Sequence, residues 1–168
     1  MLSFLCTGSI LDQQIEIRLN VKIPQTNGIE QITIKNKAET IKILYSNKEG
    51  VFQFPRSILK ESKNYDIFLT SIGTTGMYLI TLTISSPDKI EITLPKDYQM
   101  RFGRAVCPKC GKIKDVYKIK HSEAPIMTRQ IIKGDTSYSP IYKRFYYMGD
   151  VYSNLDPKWY CDHDDIFF

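Results

Sequence analysis

The sequence predicts a mainly β protein: a sandwich of seven or eight strands followed by a small, cysteine-containing β lobe. Short segments of alternating apolar and polar residues recur through the first hundred positions, with turn-forming residues between them. No competing helical period extends beyond a single turn, near residues 56–62. Three of the four cysteines lie after residue 100, where the alternating pattern is weaker.

Composition limits the class of protein. At 168 residues, the chain fits one ordinary domain or two small ones. Its 42% hydrophobic and 24% charged residues indicate a globular chain. The net charge of +5 permits an anionic partner without requiring one, and the basic excess lies after residue 100. Four cysteines are too few for a disulfide scaffold, and no apolar run reaches the roughly 20 residues of a membrane span.

Seven segments have the period-2 alternation of half-buried strands. They cover residues 15–23, 29–34, 40–45, 51–54, 65–69, 77–84 and 90–94. The pattern lapses over residues 95–104, which hold a proline, a glycine and three basic residues. We therefore predict two domains, a β-sandwich over residues 1–98 and a second lobe over residues 99–168, called the C-terminal lobe below.

The first eleven residues allow two interpretations. They are apolar and end at Asp12, as expected for an eighth strand in which Cys6 is a small buried hydrophobe. Alternatively they are the remnant of a leader, although a basic segment and a small-x-small cleavage site are missing. If these residues are a strand, the default location of the protein is the cytoplasm, where thiols stay reduced. If they are a leader remnant, the cell envelope or periplasm is favoured.

The strongest chemical signal is the segment Cys107-Pro-Lys-Cys110-Gly111. Two thiolates at this spacing can bind one metal ion from a tight turn, and glycine accepts the positive φ that such a turn needs. Cys161 would supply a third sulfur, and His163 is a candidate fourth ligand by its chemistry. The alternatives are a Cys107–Cys110 disulfide, free buried thiols or a redox dithiol.

The first part of the chain resembles carboxypeptidase-regulatory-like, transthyretin-type sandwich domains. The likeness rests on Gly8-Ser-Ile-Leu-Asp12, Gly50-Val-Phe-Gln-Phe54 and Tyr65-Asp-Ile-Phe-Leu69. It covers residues 3 to about 95, and the connection over residues 25–39 is longer than the family's. Such domains are mostly accessory modules, so the resemblance implies a stabilising or positioning role without a catalytic set.

The last part resembles a group of small, mostly uncharacterised bacterial zinc-ribbon-like proteins with a CPxCG segment and a PxWYC segment. Here these are residues 107–111 and Pro157-Lys-Trp-Tyr-Cys161. The resemblance implies a zinc-ribbon-like β lobe. Where the family has Gly-Gly-Cys, this chain has Met148-Gly-Asp150. The family's third sulfur position is therefore Asp150, whose carboxylate zinc can accept, and the fourth ligand stays open between Asp150 and His163.

The segment between these motifs is predicted to contain a strand over residues 116–120 and is compatible with a short helix over 126–134. An aromatic run with basic residues inside it follows. Aromatic and basic side chains together can hold single-stranded nucleic acid. However, a small lobe also uses tyrosines as core and as packing surface, and we favour this second role. The run comprises Tyr138, Tyr142, Phe145, Tyr146, Tyr147 and Tyr152, with Lys143 and Arg144.

These observations favour a non-enzymatic structural or binding protein with a structural Zn²⁺ in its C-terminal lobe and a protein partner. The candidate ligands are Cys107, Cys110 and Cys161 with Asp150 or His163. A nucleic-acid-binding zinc ribbon and a thiol redox protein using Cys107 and Cys110 are the alternatives. The redox interpretation is weakened by the all-β surroundings, because redox dithiols at this spacing normally open a helix in an α/β fold.

Overall fold

The fold is mainly β, as the sequence predicts. The structure, a computed structural model, describes residues 16–22, 31–47, 50–70, 76–121, 128–132, 135–139, 141–142, 145–148 and 156–168. Within these ranges there is one short 3-10 helix, Arg56–Ile58. The strands are β1 Glu16–Lys22, β2 Gln31–Asn36, β3 Glu39–Tyr45, β4 Val51–Pro55, β5 Tyr65–Thr70, β6 Met77–Leu82, β7 Lys89–Thr93, β8 Met100–Arg101, β9 Arg104–Ala105, β10 Val116–His121, β11 Thr128–Ile132, β12 Asp135–Ser139, β13 Ile141–Tyr142, β14 Phe145–Met148, β15 Trp159–Cys161 and β16 Ile166–Phe167.

Strands β1–β7 form a sandwich-like arrangement of two sheets around one hydrophobic core. A three-stranded sheet has the order β4-β1-β7, and β6, β5, β2 and β3 are consecutive strands of a second, larger sheet. In β1 the alternation places Ile17, Leu19 and Val21 in the core, while the polar residues between them, such as Arg18, face outward. The predicted eighth strand and Cys6 lie outside the described residues.

The larger sheet continues beyond residue 98. Its nine strands have the order β13-β14-β10-β15-β16-β6-β5-β2-β3, and Phe167 of β16 pairs in parallel with Met77 of β6. A second hydrophobic cluster lies over this junction. It combines Tyr78 of the sandwich with Ala105, Cys107, Val116, Cys161, Ile166 and Phe168. The lobe is thus joined to the sandwich by both hydrogen bonding and packing, and the division at residue 98 stays a prediction.

Two segments differ from the sequence-based expectations. The β pattern resumes inside the junction, where β8 and β9 pair around Phe102 and Gly103, both with positive φ. The prediction of a short helix over residues 126–134 is wrong, because Thr128–Ile132 is a strand paired with Asp135–Ser139. Thr128, Ile131 and Ile132 are β-branched, which lowers helix propensity and favours extended backbone.

Gly50 allows β1 and β4 to approach each other. Its φ is +74°, and a Cβ there would lie 2.8 Å from the carbonyl oxygen of Val21. We expect Gly50→Ala to lower the free energy of unfolding by more than the roughly 1 to 2 kcal/mol that positive φ alone costs. Gly103→Ala is the matched control, because φ is +71° there but nothing lies within 4 Å of the added Cβ. Chemical denaturation of both variants checks this, and equal losses would contradict the close approach.

Candidate metal centre

The first half of the candidate site is the turn that follows β9. The backbone N–H of Cys107 donates to the carbonyl of Lys112, and that of Gly111 donates to the carbonyl of Cys107, each at 2.9 Å. Gly111 has a φ of +72°. The N–H groups of Lys109 and Cys110 donate to the Cys107 sulfur. This is the knuckle geometry predicted for the CPKCG segment, with backbone dipoles directed at a thiolate.

The second half is the turn between β15 and β16. Cys161 is the last residue of β15, and the N–H of Asp164 donates to its sulfur. Asp165 follows with a φ of +51°, as Gly111 follows Cys110 in the first turn. The segment Cys161-Asp-His-Asp164 is therefore a second knuckle, in which a carboxylate stands at the position of the second thiol.

The two knuckles bring four potential ligands together. One ligand atom from each of Cys107, Cys110, Cys161 and Asp164 lies within 4.8 Å of every other. The Cys110 and Cys161 sulfurs are 3.8 Å apart, and Asp164 Oδ2 is 3.2 Å from Cys107 Sγ and 3.5 Å from Cys161 Sγ. Tetrahedral Zn²⁺ with Zn–S bonds of about 2.3 Å separates its sulfurs by about 3.8 Å. These residues could hold a metal ion.

Burial controls protonation when no metal is bound. It raises the pKa of Cys107 well above that of a free thiol and the pKa of Cys161 to about 11, despite opposing hydrogen bonds from backbone N–H groups. Burial acts to raise the pKa of Asp164 too, but hydrogen bonds from the three thiols and His163 outweigh it and the pKa is lowered. In the metal-free site the Asp164 carboxylate thus accepts from the neutral thiols of Cys107 and Cys161, and metal binding would displace their protons.

The predicted ligands have different outcomes. The structure brings Cys107, Cys110 and Cys161 together. His163 is exposed and lies beside this group, with Nδ1 3.3 Å from Asp164 Oδ1. Asp150 lies outside the described residues. Asp164 was not among the predicted ligands, although its spacing from Cys161 repeats the spacing of Cys107 and Cys110. That repeat was the signal available in the sequence.

A buried polar network fixes the first knuckle to the sandwich. Lys109 Nζ lies 2.6 Å from Asp66 Oδ2, and Asp66 is only 7% exposed. Thr81 Oγ1 donates to the other oxygen of Asp66 at 2.6 Å, and the Tyr78 hydroxyl lies 2.8 Å from Thr81 Oγ1. A buried carboxylate with partners on both oxygens fixes its neighbours strongly. The candidate site is therefore held against β5 and β6 by directed contacts.

Half-buried aromatic residues pack on the other side of the lobe. The Tyr146 ring is 4.3 Å from the Tyr160 ring and 5.3 Å from the Phe167 ring, between centroids. Lys120 Nζ lies 3.7 Å from the centre of the Phe145 ring. Part of the aromatic run thus packs against neighbouring rings and an ammonium group. The side chains of Tyr138, Tyr142 and Tyr152, with Lys143 and Arg144, lie outside the described residues.

Comparison with protein-family models, curated proteins and solved structures finds no match to this chain. The resemblances to zinc-ribbon-like proteins and to transthyretin-type domains thus stay predictions. No helix within the described ranges is both long and apolar enough to cross a membrane. What the fold and the site define is a mainly β protein with a four-residue group that could bind a metal.

Proposed function

We propose that this is a non-enzymatic structural or binding protein in which one Zn²⁺ stabilises the C-terminal lobe against the sandwich. The observation that supports this is the pair of matching knuckles, which place three sulfurs and one carboxylate oxygen within 4.8 Å of one another. Zinc accepts this donor set, and soft thiolates favour it over Mg²⁺ or Ca²⁺.

A structural role is favoured because the protein offers four potential ligands, Cys107, Cys110, Cys161 and Asp164. Catalytic zinc normally has three protein ligands and a water, whereas structural zinc is closed by four. Cys107 and Cys161 are 1% and 0% exposed, so neither sulfur is accessible to a substrate. The hydrophobic cluster that joins the lobe to the sandwich has only seven buried residues, so a metal ion at its edge would add to a small core.

The thiol redox alternative is less well supported. A redox dithiol needs a thiolate of lowered pKa, but burial raises the pKa of both Cys107 and Cys161. Its best geometric argument is the 3.8 Å between the Cys110 and Cys161 sulfurs. Oxidation would then join the two knuckles rather than the C-x-x-C pair.

Metal analysis of Asp164→Asn tests the proposal. We expect about one zinc per purified wild-type chain. Asp164→Asn should lower zinc affinity by more than the roughly 10- to 100-fold lost when a residue that only hydrogen-bonds a metal ligand is removed. Asp162→Asn is the matched control, since Asp162 is exposed and outside the four-residue group. Substitution with Co²⁺ provides a second measurement, because its visible bands report thiolate coordination and tetrahedral geometry.

His163→Ala tests whether Asp164 or His163 is the fourth zinc ligand. His163→Ala is expected to keep the metal, with an affinity loss of no more than roughly 10- to 100-fold, because His163 contacts Asp164 from outside the four-residue group. Metal lost with His163→Ala but kept with Asp164→Asn would make the histidine the fourth ligand. A metal-free protein with a reversible Cys110–Cys161 disulfide would overturn the zinc proposal and favour redox chemistry.

A further inference from the structure

A cleft of about 800 Å³ opens where the sandwich meets the first knuckle. Its walls come from three parts of the chain: the loop after β2 at residues 36–37, the turn before β5 at residues 62–64, and Lys109 of the knuckle. The candidate metal ligand Asp164 lines the same cleft. Small-molecule sites typically have volumes of about 300 to 1,000 Å³, so this cleft has the size of a ligand site.

Both carboxylates that line the cleft already have hydrogen-bond partners. Asp66 accepts from Thr81 on one oxygen and from the Lys109 ammonium group on the other, each at 2.6 Å. Asp164 Oδ2 accepts from two knuckle thiols, and its Oδ1 lies 3.3 Å from His163 Nδ1. Because every one of these carboxylate oxygens already has a partner, the described lining is poorly suited to a cationic ligand.

The charges left uncompensated in this part of the described chain are positive. Lys37 and Lys63 are exposed residues that line the cleft, and neither makes an ion pair with another described residue. The Lys109 ammonium group has three N–H donors and uses one of them for Asp66. Ser62 adds a hydroxyl group. Two uncompensated positive charges and several further donors favour an anionic ligand.

Two positions in these walls carry side chains where glycine would fit the backbone better. Lys37 is the first residue of the two-residue loop between β2 and β3 and has a φ of +54°, and Ser62 has a φ of +57°. Positive φ is unfavourable for residues with a Cβ, and glycine, asparagine or aspartate is usual in such loops. Both residues are exposed, so packing does not offset the strain. Backbone strain of this kind is concentrated at functional sites, including ligand clamps.

The walls of the cleft are joined to one another by polar contacts. Asn36 Nδ2 donates to the backbone carbonyl of Asn64 at 2.8 Å, which connects the two turns. The ion pair of Lys109 with Asp66 connects the knuckle to β5, because Asp66 is only 7% exposed. Segments that are already held together lose less freedom when a ligand binds between them.

We propose that this cleft binds the phosphate group of a small molecule through Lys37, Lys63 and Lys109. A phosphate group carries a charge of about −1.5 to −2 at pH 7 and has three strong acceptor oxygens, which complement two uncompensated ammonium groups and the further donors. A carboxylate carries one negative charge and would compensate only one of the two lysines. The group can belong to free phosphate or to a phosphorylated compound, and both are tested below.

Isothermal titration calorimetry at constant ionic strength, with inorganic phosphate and with glycerol 3-phosphate, tests the site. We expect wild type to bind both probes saturably at one site per chain. Lys63→Met should weaken the binding of each probe by about tenfold or more, because it removes a charge-assisted hydrogen bond. Lys60→Met is the matched control and should bind like wild type, since Lys60 is also exposed but does not line the cleft.

Lys37→Gly separates binding from folding. Glycine accepts the positive φ of this position, so the variant should be at least as stable as wild type in chemical denaturation without phosphate. It should nevertheless bind both probes about tenfold more weakly, because one ammonium group is lost. Tighter binding of glycerol 3-phosphate than of phosphate by wild type would identify a phosphorylated compound as the ligand, and equal or weaker binding would identify the free ion.

The phosphate site is overturned if wild type binds neither probe saturably, or if either Lys37→Gly or Lys63→Met binds them like wild type. Equal losses in Lys60→Met and Lys63→Met would show non-specific attraction and would overturn it too. Zinc content measured on the same samples keeps the two proposals distinguishable. Metal-loaded protein that binds no phosphate rejects only the phosphate site, and metal-free protein that binds phosphate rejects only the zinc site.

Discussion

Replacing Cys107 or Cys161 with serine is expected to abolish stoichiometric metal binding and unfold the C-terminal lobe. Both sulfurs are buried, and each is the first candidate ligand of its knuckle. Structural zinc contributes about 10 kcal/mol or more of apparent folding free energy in small domains. The second cluster contains only seven buried residues, and two of them are Cys107 and Cys161, so the loss of zinc would also disturb the packing of the lobe. Metal content and the fluorescence of Trp159, the single tryptophan, measure both effects on one sample.

Cys6→Ser is the matched control, because it removes the one remaining cysteine, which belongs to neither knuckle segment of the sequence. It should keep both the metal and the Trp159 signal. A chelator added to wild type should reproduce the serine variants, since Trp159 packs against the cluster that includes Cys107 and Cys161. A Cys107→Ser protein that keeps one zinc per chain and an unchanged Trp159 signal would contradict the structural role.

The strands could be predicted because their patterns are local. In β1, the buried positions Ile17, Leu19 and Val21 alternate with polar residues, and Pro24 limits the segment. Likewise, the knuckle at Cys107 follows from a short spacing and a glycine that accepts positive φ. Such features need information from only a few neighbouring residues, which a single sequence contains.

The pairing of distant strands could not be predicted in the same way. Nothing in the two residues of β16 indicates that Phe167 pairs with Met77, 90 positions earlier. That partnership depends on the packing of the whole second cluster. Asp164, the fourth candidate ligand, was missed for a related reason. The resemblance to zinc-ribbon-like proteins pointed to Asp150 as a candidate ligand. The knuckle geometry requires only a donor three residues after Cys161, and Asp164 meets that requirement.

Phe168→Ala is expected to destabilise the protein strongly, although Phe168 is not a candidate ligand. Phe168 is fully buried, and its ring lies 5.0 Å from that of Tyr98, edge to face. Its backbone N–H donates to the carbonyl of Trp159 at 2.8 Å. Truncating a buried phenylalanine costs about 3 to 5 kcal/mol of unfolding free energy. Chemical denaturation at saturating zinc measures this loss, and metal stoichiometry should stay at that of wild type.

Phe102→Ala is the matched control for this truncation. Phe102 is 94% exposed, so removing its ring should change stability by no more than about 0.5 kcal/mol. The comparison separates packing of the lobe from metal binding, because Phe168 stabilises the cluster around the knuckles without being a ligand. Equal stabilities of the two variants would show that Phe168 does not pack in the core. Loss of zinc from Phe168→Ala at saturating metal would instead show that this packing is needed to form the site.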